Sequence, residues 1–156
     1  MTTTARAPIK VRVTKEAGTE DLPLPEYKTP GASGMDLFSA NREPVVLEPG
    51  KTCFVSTGIS ISLPADHEAQ IRPRSGLALK HGVTLLNTPG TVDSDYRGVI
   101  SLIVINLGKE AFTITRGTRL AQMVFQKVVK AEWEAVSSLD ETARSGGGFG
   151  HTGYGT

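Results

Sequence analysis

Short apolar runs rich in valine and isoleucine, broken by glycine or proline about every ten residues, constrain the fold of this chain most strongly. This spacing is typical of a many-stranded β domain, and helical signals are scarce. The chain is therefore predicted to form an all-β, jelly-roll-like antiparallel barrel or sandwich. The predicted strands are 9–14, 43–49, 53–64, 68–73, 83–87, 99–108, 111–115 and 119–136.

Two of these runs differ in the burial expected of them. The segment "GISISL" (58–63) alternates apolar and polar residues, as a half-buried strand does. The segment "VISLIVINL" (99–107) is nearly all apolar, so both of its faces are expected to be buried. In a chain this small, the second face is expected to lie against another subunit. One short helix is predicted at 75–82, ended by Gly82.

Composition limits the class of protein. With 156 residues, of which 38% are hydrophobic, one globular domain with a sizeable core is expected. The net charge of +1 indicates neither a nucleic-acid nor a membrane partner. The single cysteine, Cys53, permits no intramolecular disulfide and fits a reducing compartment. No apolar stretch approaches a membrane span or a signal-peptide core, so a cytoplasmic location is expected.

Several chemistries lack their sequence signatures. One cysteine and three scattered histidines offer no zinc constellation, and the zinc-deaminase pattern is missing. There is no G-x-S-x-G elbow of a serine hydrolase. The run "GGGFGHT" (146–152) has His151 where a phosphate-binding P-loop needs lysine, so that interpretation is rejected.

The segment "PRSGLALKHG" (73–82) has the features of an anion site. Ser75 is predicted to cap the short helix, Arg74 adds a fixed cation, and Gly76 lets a ligand approach the backbone. Together these groups suit a phosphate. The alternative is a capped helical turn with a surface arginine.

The segment "NTPGTVDSDYRG" (87–98) begins with a Pro-Gly turn signal after a predicted strand. Asp93 and Asp95 would point to one face if the segment were extended. One carboxylate there can orient and deprotonate a water, and another can help to hold a hydrated cation. Tyr96 can pack on a sugar or base. The alternative is a loop whose polar side chains bond their own backbone.

Two further polar residues stand in apolar surroundings. Asp36, in "GASGMDLFSA" (31–40), needs an arginine or a metal-bound water as a partner if it is semi-buried, although a cap is the commoner role. Gln122 lies within the apolar run of "RGTRLAQMVF" (116–125), and its amide requires hydrogen bonds from a ligand or from neighbouring backbone.

Five segments in this order resemble the motifs of the homotrimeric dUTPase family, whose members split dUTP into dUMP and pyrophosphate. They are "SGMDLFSA" (33–40), "PRSGLA" (73–78), "GTVDSDYRG" (90–98), "GTRLAQMVF" (117–125) and "RSGGGFGHTG" (144–153). The chain departs from the family pattern at Ser33, where alanine is usual, at Ser145, where glycine is common, and at His151, where serine is common. The last two positions touch the phosphate end of the site.

The resemblance implies a β-clip barrel over 1–143, followed by a flexible glycine-rich arm, 144–156, that closes over the active site of a homotrimer. Each site would be built from three chains. One chain would supply a uracil and deoxyribose pocket, a second the phosphate site, and the third the arm, with Arg144 on the terminal phosphate and Phe149 stacked on uracil. The pocket residues implied are Asn87, Asp93 and Tyr96, and the phosphate residues are Arg74, Ser75, Gly76 and Gln122.

The implied reaction is in-line attack of water on the α-phosphorus, with Asp93 as the base. Mg²⁺ would be held mainly by the triphosphate, and Asp36 would reach it through water. Such an enzyme removes dUTP from the nucleotide pool and supplies dUMP for thymidylate synthesis. Two alternatives stay open: a dCTP deaminase on the same fold, and a non-catalytic trimer that senses nucleotide or serves as an interaction module.

Overall fold

The computed structural model describes residues 7–147, and these residues form eleven short strands and one helix. In chain order the elements are β1 (Arg12–Lys15), β2 (Met35–Phe38), β3 (Val45–Leu47), β4 (Thr52–Ser56), β5 (Ile59–Ser62), β6 (His67–Pro73), α1 (Ser75–His81), β7 (Val83–Leu85), β8 (Gly90–Val92), β9 (Ser101–Asn106), β10 (Phe112–Ile114) and β11 (Arg119–Lys127). The all-β prediction with one short helix is confirmed. Within 7–147, no helix is long and apolar enough to cross a membrane.

Every strand pair in these residues is antiparallel. The largest sheet has the order β2-β11-β6-β8, a second has the order β4-β9-β7, and two-stranded ribbons join β1 to β5 and β3 to β10. Strand β11 therefore lies between β2 and β6, which it pairs over most of its length. The four-stranded sheet thus brings together parts of four of the five motif segments, 33–40, 73–78, 90–98 and 117–125.

The core lies between these sheets and is almost entirely aliphatic. Its most deeply buried side chains include Leu37, Leu47, Val55, Leu102, Val104 and Ile114. Burying each such side chain contributes about 1.5–3 kcal/mol. The alternation predicted for 58–63 is confirmed, because Ile59 and Ile61 are buried whereas the serines between and after them are partly exposed.

Two predicted strands need correction, and two further strands were not predicted. The run 53–64 is two strands rather than one, because the strand is interrupted at Gly58, whose φ is 69°. An added β-carbon on Gly58 would lie 2.7 Å from Thr19 Cγ2. The predicted strand 119–136 ends at Lys127, and 128–147 contain neither helix nor strand. Strands β2 and β8 were not predicted, since each is only 3 or 4 residues long and follows or begins with glycine.

Both faces of the run 99–107 were predicted to be buried, but within one chain only one face of this strand is buried. In β9, Leu102 and Val104 are buried, whereas Ile103 and Ile105 on the other face are only partly covered. Burial of that second face by another subunit stays a prediction.

The predicted helix end at Gly82 is confirmed, because this residue has φ 67° and its N–H donates to the carbonyl of Ala78 at 3.0 Å. The predicted cap at Ser75 is wrong. The N-cap is Arg74, which is extended, and in this described segment no side chain caps the helix. Ser75 is already the first helical residue, because the Arg74 carbonyl accepts the first hydrogen bonds of the helix from Leu77 and Ala78.

Arg116, in the turn before β11, fastens the loop 16–22 to the barrel. Its Nε and Nη2 bond both carboxylate oxygens of Asp21 at 2.9 and 2.6 Å. Its Nη1 and Nη2 also donate to the carbonyls of Ala40 and Gly18, each at 2.7 Å. The hydrogen bond from Arg116 lowers the pKa of Asp21 from its usual 3.8 to about 2.

Candidate functional site

A pocket of about 240 Å³ lies beside the segment 87–98, against strands β6 to β9. Its floor is apolar and includes Ile71 and Leu102, and its polar rim includes the predicted residues Asn87, Asp93 and Tyr96. The structure therefore brings these three predicted side chains to one concave surface. The Asp93 carboxylate is exposed at that surface, where it can contact a bound molecule and water.

The chain turns directly after Asp93, because the N–H of Tyr96 donates to the Asp93 carbonyl at 3.2 Å. The guanidinium of Arg97 closes the turn by donating to the carbonyls of Ser94 and Tyr96 at 2.7 and 2.8 Å. The extended geometry suggested for Asp93 and Asp95 is therefore wrong. Asp95 is exposed on the turn and does not line the pocket, so the two carboxylates have different surroundings.

The ring of Tyr96 is 46% exposed, and its hydroxyl donates to the carbonyl of Val99 at 3.2 Å. This hydrogen bond anchors one end of the ring and leaves one part of it facing the pocket. Tyr96 is thus held in place before any ligand is bound.

A second group of polar residues surrounds Asp36, which lies in β2 directly across from Gln122 in β11. The side chain of Asp36 is only 16% exposed, and two arginines bond its carboxylate: Arg74 Nε lies 2.9 Å from Oδ1 and Arg119 Nη1 lies 3.2 Å from Oδ2. These two arginines are the charged partners that a semi-buried aspartate needs. Of the two arginines, only Arg74 was singled out from the sequence.

Gln122 completes this group, and its amide bonds backbone in the structure. Its Nε2 donates to the carbonyl of Pro73 at 3.0 Å. An added β-carbon on Gly34 would lie 2.6 Å from Gln122 Oε1, so a side chain at residue 34 would displace the amide from its present position. The amide therefore packs between the start of β2 and the end of β6.

Ser75 and Gly76 are exposed at the first turn of α1, next to Arg74. Among residues 7–147, no atom lies within 4 Å of where a β-carbon on Gly76 would stand. The backbone there is open to an approaching ligand, as predicted for a phosphate contact.

Arg144 is exposed, and its Nε donates to the carbonyl of Gly147 at 2.9 Å. The neighbouring Ser145 has φ 40°, in the left-handed region that glycine adopts most easily. Phe149, predicted to stack on uracil, and His151, one of the departures from the family pattern, lie outside the described residues.

The described residues hold two separate groups. Asn87, Asp93 and Tyr96 line the pocket, whereas the predicted phosphate residues Arg74, Ser75, Gly76 and Gln122 are not among its lining residues within 7–147. Sequence reasoning missed Arg119. The available signal was the pair of adjacent apolar residues after it, Leu120 and Ala121, which breaks the alternation of the strand.

In the described part of the chain, no three His, Cys, Asp or Glu side chains converge on a metal-sized site. The Asp36 carboxylate is a single hard oxygen donor between two guanidinium groups. Such a donor suits a hydrated Mg²⁺ that gets its other ligands from phosphates and water.

An antiparallel β-barrel with a carboxylate at an apolar pocket, and a separate cluster of arginines around one aspartate, has the parts of an enzyme for a phosphorylated small molecule. The dUTPase family model matches residues 20–153, and the chain belongs to this family.

Individual relatives agree with this assignment. The deoxyuridine 5'-triphosphate nucleotidohydrolase of Thermoanaerobacter sp. (strain X514) is 58% identical over 145 residues, which cover 93% of this chain and 97% of the relative. A mutant dUTPase of Staphylococcus bacteriophage 80alpha, solved with dUpNHpp, has a TM-score of 0.83 at 22% identity over 93% of this chain and 99% of that one. A mutant dUTPase from phage phi11 of S. aureus, solved to show the coordination of a structural Mg(II) ion, has a TM-score of 0.75 at 22% identity. The match covers 85% of this chain and 99% of that one. The structural likeness confirms the jelly-roll-like fold.

Proposed function

We propose that this chain hydrolyses dUTP to dUMP and pyrophosphate, which removes dUTP from the nucleotide pool and supplies dUMP for thymidylate synthesis. The observation that carries the proposal is the position of the Asp93 carboxylate on the same pocket as Asn87 and Tyr96. The relative that is 58% identical bears the name of this activity.

In the proposed complex, uracil and deoxyribose occupy the pocket, with the Tyr96 ring against the sugar. Asp93 orients a water, removes its proton and accepts a hydrogen bond from the 3′-OH. The water attacks the α-phosphorus in line, and pyrophosphate leaves. A single exposed carboxylate is sufficient for this step, because no covalent intermediate on the protein is needed.

The phosphates are proposed to bind at the start of α1. Arg74 and Gln122 supply charge and an amide donor, and the open backbone at Ser75 and Gly76 allows close approach of an anion. Arg144 pairs with the terminal phosphate, and Phe149 stacks on uracil. These cations stabilise the negative charge that builds on the phosphates during the reaction.

Mg²⁺ is the proposed cofactor, held mainly by the triphosphate, with Asp36 contacting it through water. The ion would neutralise phosphate charge and fix the conformation of the triphosphate. The ion pair between Asp36 and Arg74 supports this placement, because it puts the carboxylate beside an arginine that is proposed to bind the phosphates.

We also propose that the protein is a homotrimer with shared active sites. The pocket and the phosphate residues are separate in one chain, so a complete site needs more than one copy. The segment that follows β11 carries apolar side chains with little cover, Val129 at 92%, Trp133 at 97% and Leu139 at 84% exposed. Apolar surface of this kind is expected where another subunit packs. The near-neutral charge and single cysteine favour a cytoplasmic enzyme without nucleic-acid or membrane partners.

The deciding experiment incubates the purified chain with Mg²⁺ and, separately, dUTP, dCTP and UTP, and measures pyrophosphate and ammonia. Pyrophosphate released from dUTP alone is the expected result. Ammonia released from dCTP would identify a deaminase. Nucleotide binding without turnover would identify a non-catalytic trimer.

A further inference from the structure

Arg119 contacts both of the residues expected to face the phosphates and the metal ion. Its side chain bonds Asp36 Oδ2 at 3.2 Å, while its backbone carbonyl accepts a hydrogen bond from Arg74 Nη1 at 3.1 Å. The Arg119 side chain is 49% exposed, and the Asp36 side chain is 16% exposed. Arg119 thus holds the Asp36 carboxylate with its side chain, and it holds the Arg74 guanidinium with its backbone carbonyl.

A β-bulge in β11 brings Arg119 to this position. Opposite β2, Gln122 pairs with Asp36 and Ala121 with Leu37, but Phe38 pairs with Arg119, so Leu120 is an extra residue. Leu120 and Ala121 are consecutive, and both are buried, at 2% and 0% exposed. Strict alternation would turn Arg119 towards the core together with Ala121. The bulge returns it to the face that carries Gln122 and Asp36.

The charges in this cluster do not balance, since one carboxylate serves two guanidinium groups. A bound phosphate offers Arg74 a second, more strongly charged acceptor. If Arg74 turns towards it, Asp36 loses the ion pair at Oδ1. A carboxylate this well covered is costly to leave without a partner, and Arg119 keeps the ion pair at Oδ2.

We propose that Arg119 is a positioning residue: it holds the Asp36 carboxylate in place while Arg74 changes its partner from Asp36 to a phosphate of the nucleotide. This role rests on the proposed function, because it requires phosphates at Arg74. In this role Arg119 acts on the nucleotide through Asp36 and Arg74, which it contacts directly.

The test compares Arg119→Gln, Arg119→Lys and Asp36→Asn with the control Arg42→Gln, which removes an exposed arginine from the β2–β3 connection. Calorimetry gives the affinity for dUpNHpp with and without Mg²⁺, and turnover gives kcat and KM for dUTP at a series of Mg²⁺ concentrations. Thermal unfolding of each variant measures the loss of stability separately.

Arg119→Gln is expected to weaken dUpNHpp binding in Mg²⁺ roughly tenfold or more, the effect of losing one hydrogen bond to a charged group. It should also raise the Mg²⁺ concentration that gives half-maximal kcat. Arg119→Lys should restore part of both, and Arg42→Gln should match the wild type. In the Asp36→Asn variant, adding Arg119→Gln should weaken dUpNHpp binding little further, because Arg119 acts through Asp36.

The role is overturned if Arg119→Gln binds dUpNHpp as tightly as Arg42→Gln does. It is also overturned if the loss of affinity in Arg119→Gln adds in full to the loss of affinity in Asp36→Asn. If the wild type neither binds dUpNHpp nor hydrolyses dUTP, the proposed function fails and this role fails with it. If the wild type hydrolyses dUTP and Arg119→Gln shows unchanged dUpNHpp binding and Mg²⁺ dependence, only the role of Arg119 is overturned.

Discussion

The ring of Tyr96 occupies the space that a β-carbon on Gly98 would need. An added carbon there would overlap the Tyr96 hydroxyl and lie 2.6 Å from the ring carbon Cζ. The ring is fixed in this position by the hydrogen bond from its hydroxyl to the carbonyl of Val99. The orientation of Tyr96 at the pocket therefore depends on the absence of a side chain two residues later.

Gly98→Ala is expected to displace the Tyr96 ring and to weaken the exclusion of ribonucleotides, because the ring is proposed to fill the space of a 2′-OH. The ratio of kcat/KM for dUTP to that for UTP should fall about tenfold or more, as in Tyr96→Ala. Gly31→Ala is the matched control, since an added β-carbon there meets no atom of residues 7–147 within 4 Å. An unchanged ratio in both Tyr96→Ala and Gly98→Ala would refute the steric role of the ring.

Asp93→Asn should lower kcat for dUTP by about 10²–10⁴-fold, because the amide cannot accept the proton of the attacking water. Binding of dUpNHpp should be largely kept, since the phosphate contacts are made elsewhere. Steady-state kinetics and calorimetry measure the two effects. Asp95→Asn is the control, because that carboxylate is two residues away but outside the pocket. Near-normal kcat in Asp93→Asn would show that another group is the base.

Mixed trimers test whether the arm and Asp93 of one site come from different chains. Chains truncated before Arg144 and full-length Asp93→Asn chains should each be folded and nearly inactive. Unfolded and refolded together in equal amounts, they should recover about a quarter of wild-type activity, because every mixed cyclic trimer contains one complete junction. A mixture proven to contain both chains, yet as inactive as its parents, would contradict the shared site.

Asp21→Asn should destabilise the fold at neutral pH but not in strong acid. Since Arg116 lowers the pKa of Asp21 from 3.8 to about 2, the ion pair stabilises the folded state above about pH 4, and this stabilisation is lost as the pH falls towards 2. Urea unfolding of wild type and variant between pH 7 and pH 2 measures the difference. Asp140→Asn, which removes an exposed carboxylate from the segment after β11, is the control. A difference as large at pH 2 as at pH 7 would assign the effect to packing of the loop.

The sequence predicted those parts of the fold and site that depend on residues close together in the chain. Alternation identified β5, and the run 87–98 contains Asn87, Asp93 and Tyr96 within one short segment. The break at Gly58 depends on a positive φ and on contact with a distant loop, which no local pattern records. For Arg119 the adjacent apolar residues Leu120 and Ala121 are a local signal of a bulge, but the contact with Asp36 to which the bulge leads depends on the pairing of β11 with β2.

The central place of β11 also determines the order in which the molecule can be completed. Asp36 and Arg119 are 83 residues apart in sequence, so their contact must close a long loop before it contributes any stability. During synthesis on the ribosome, β2 and β6 lack the strand that pairs with both of them until residues 119–127 have emerged. A chain that stalls before that point presents strand edges ready to pair with other molecules. The four-stranded sheet can therefore be completed only after this last of its strands is available.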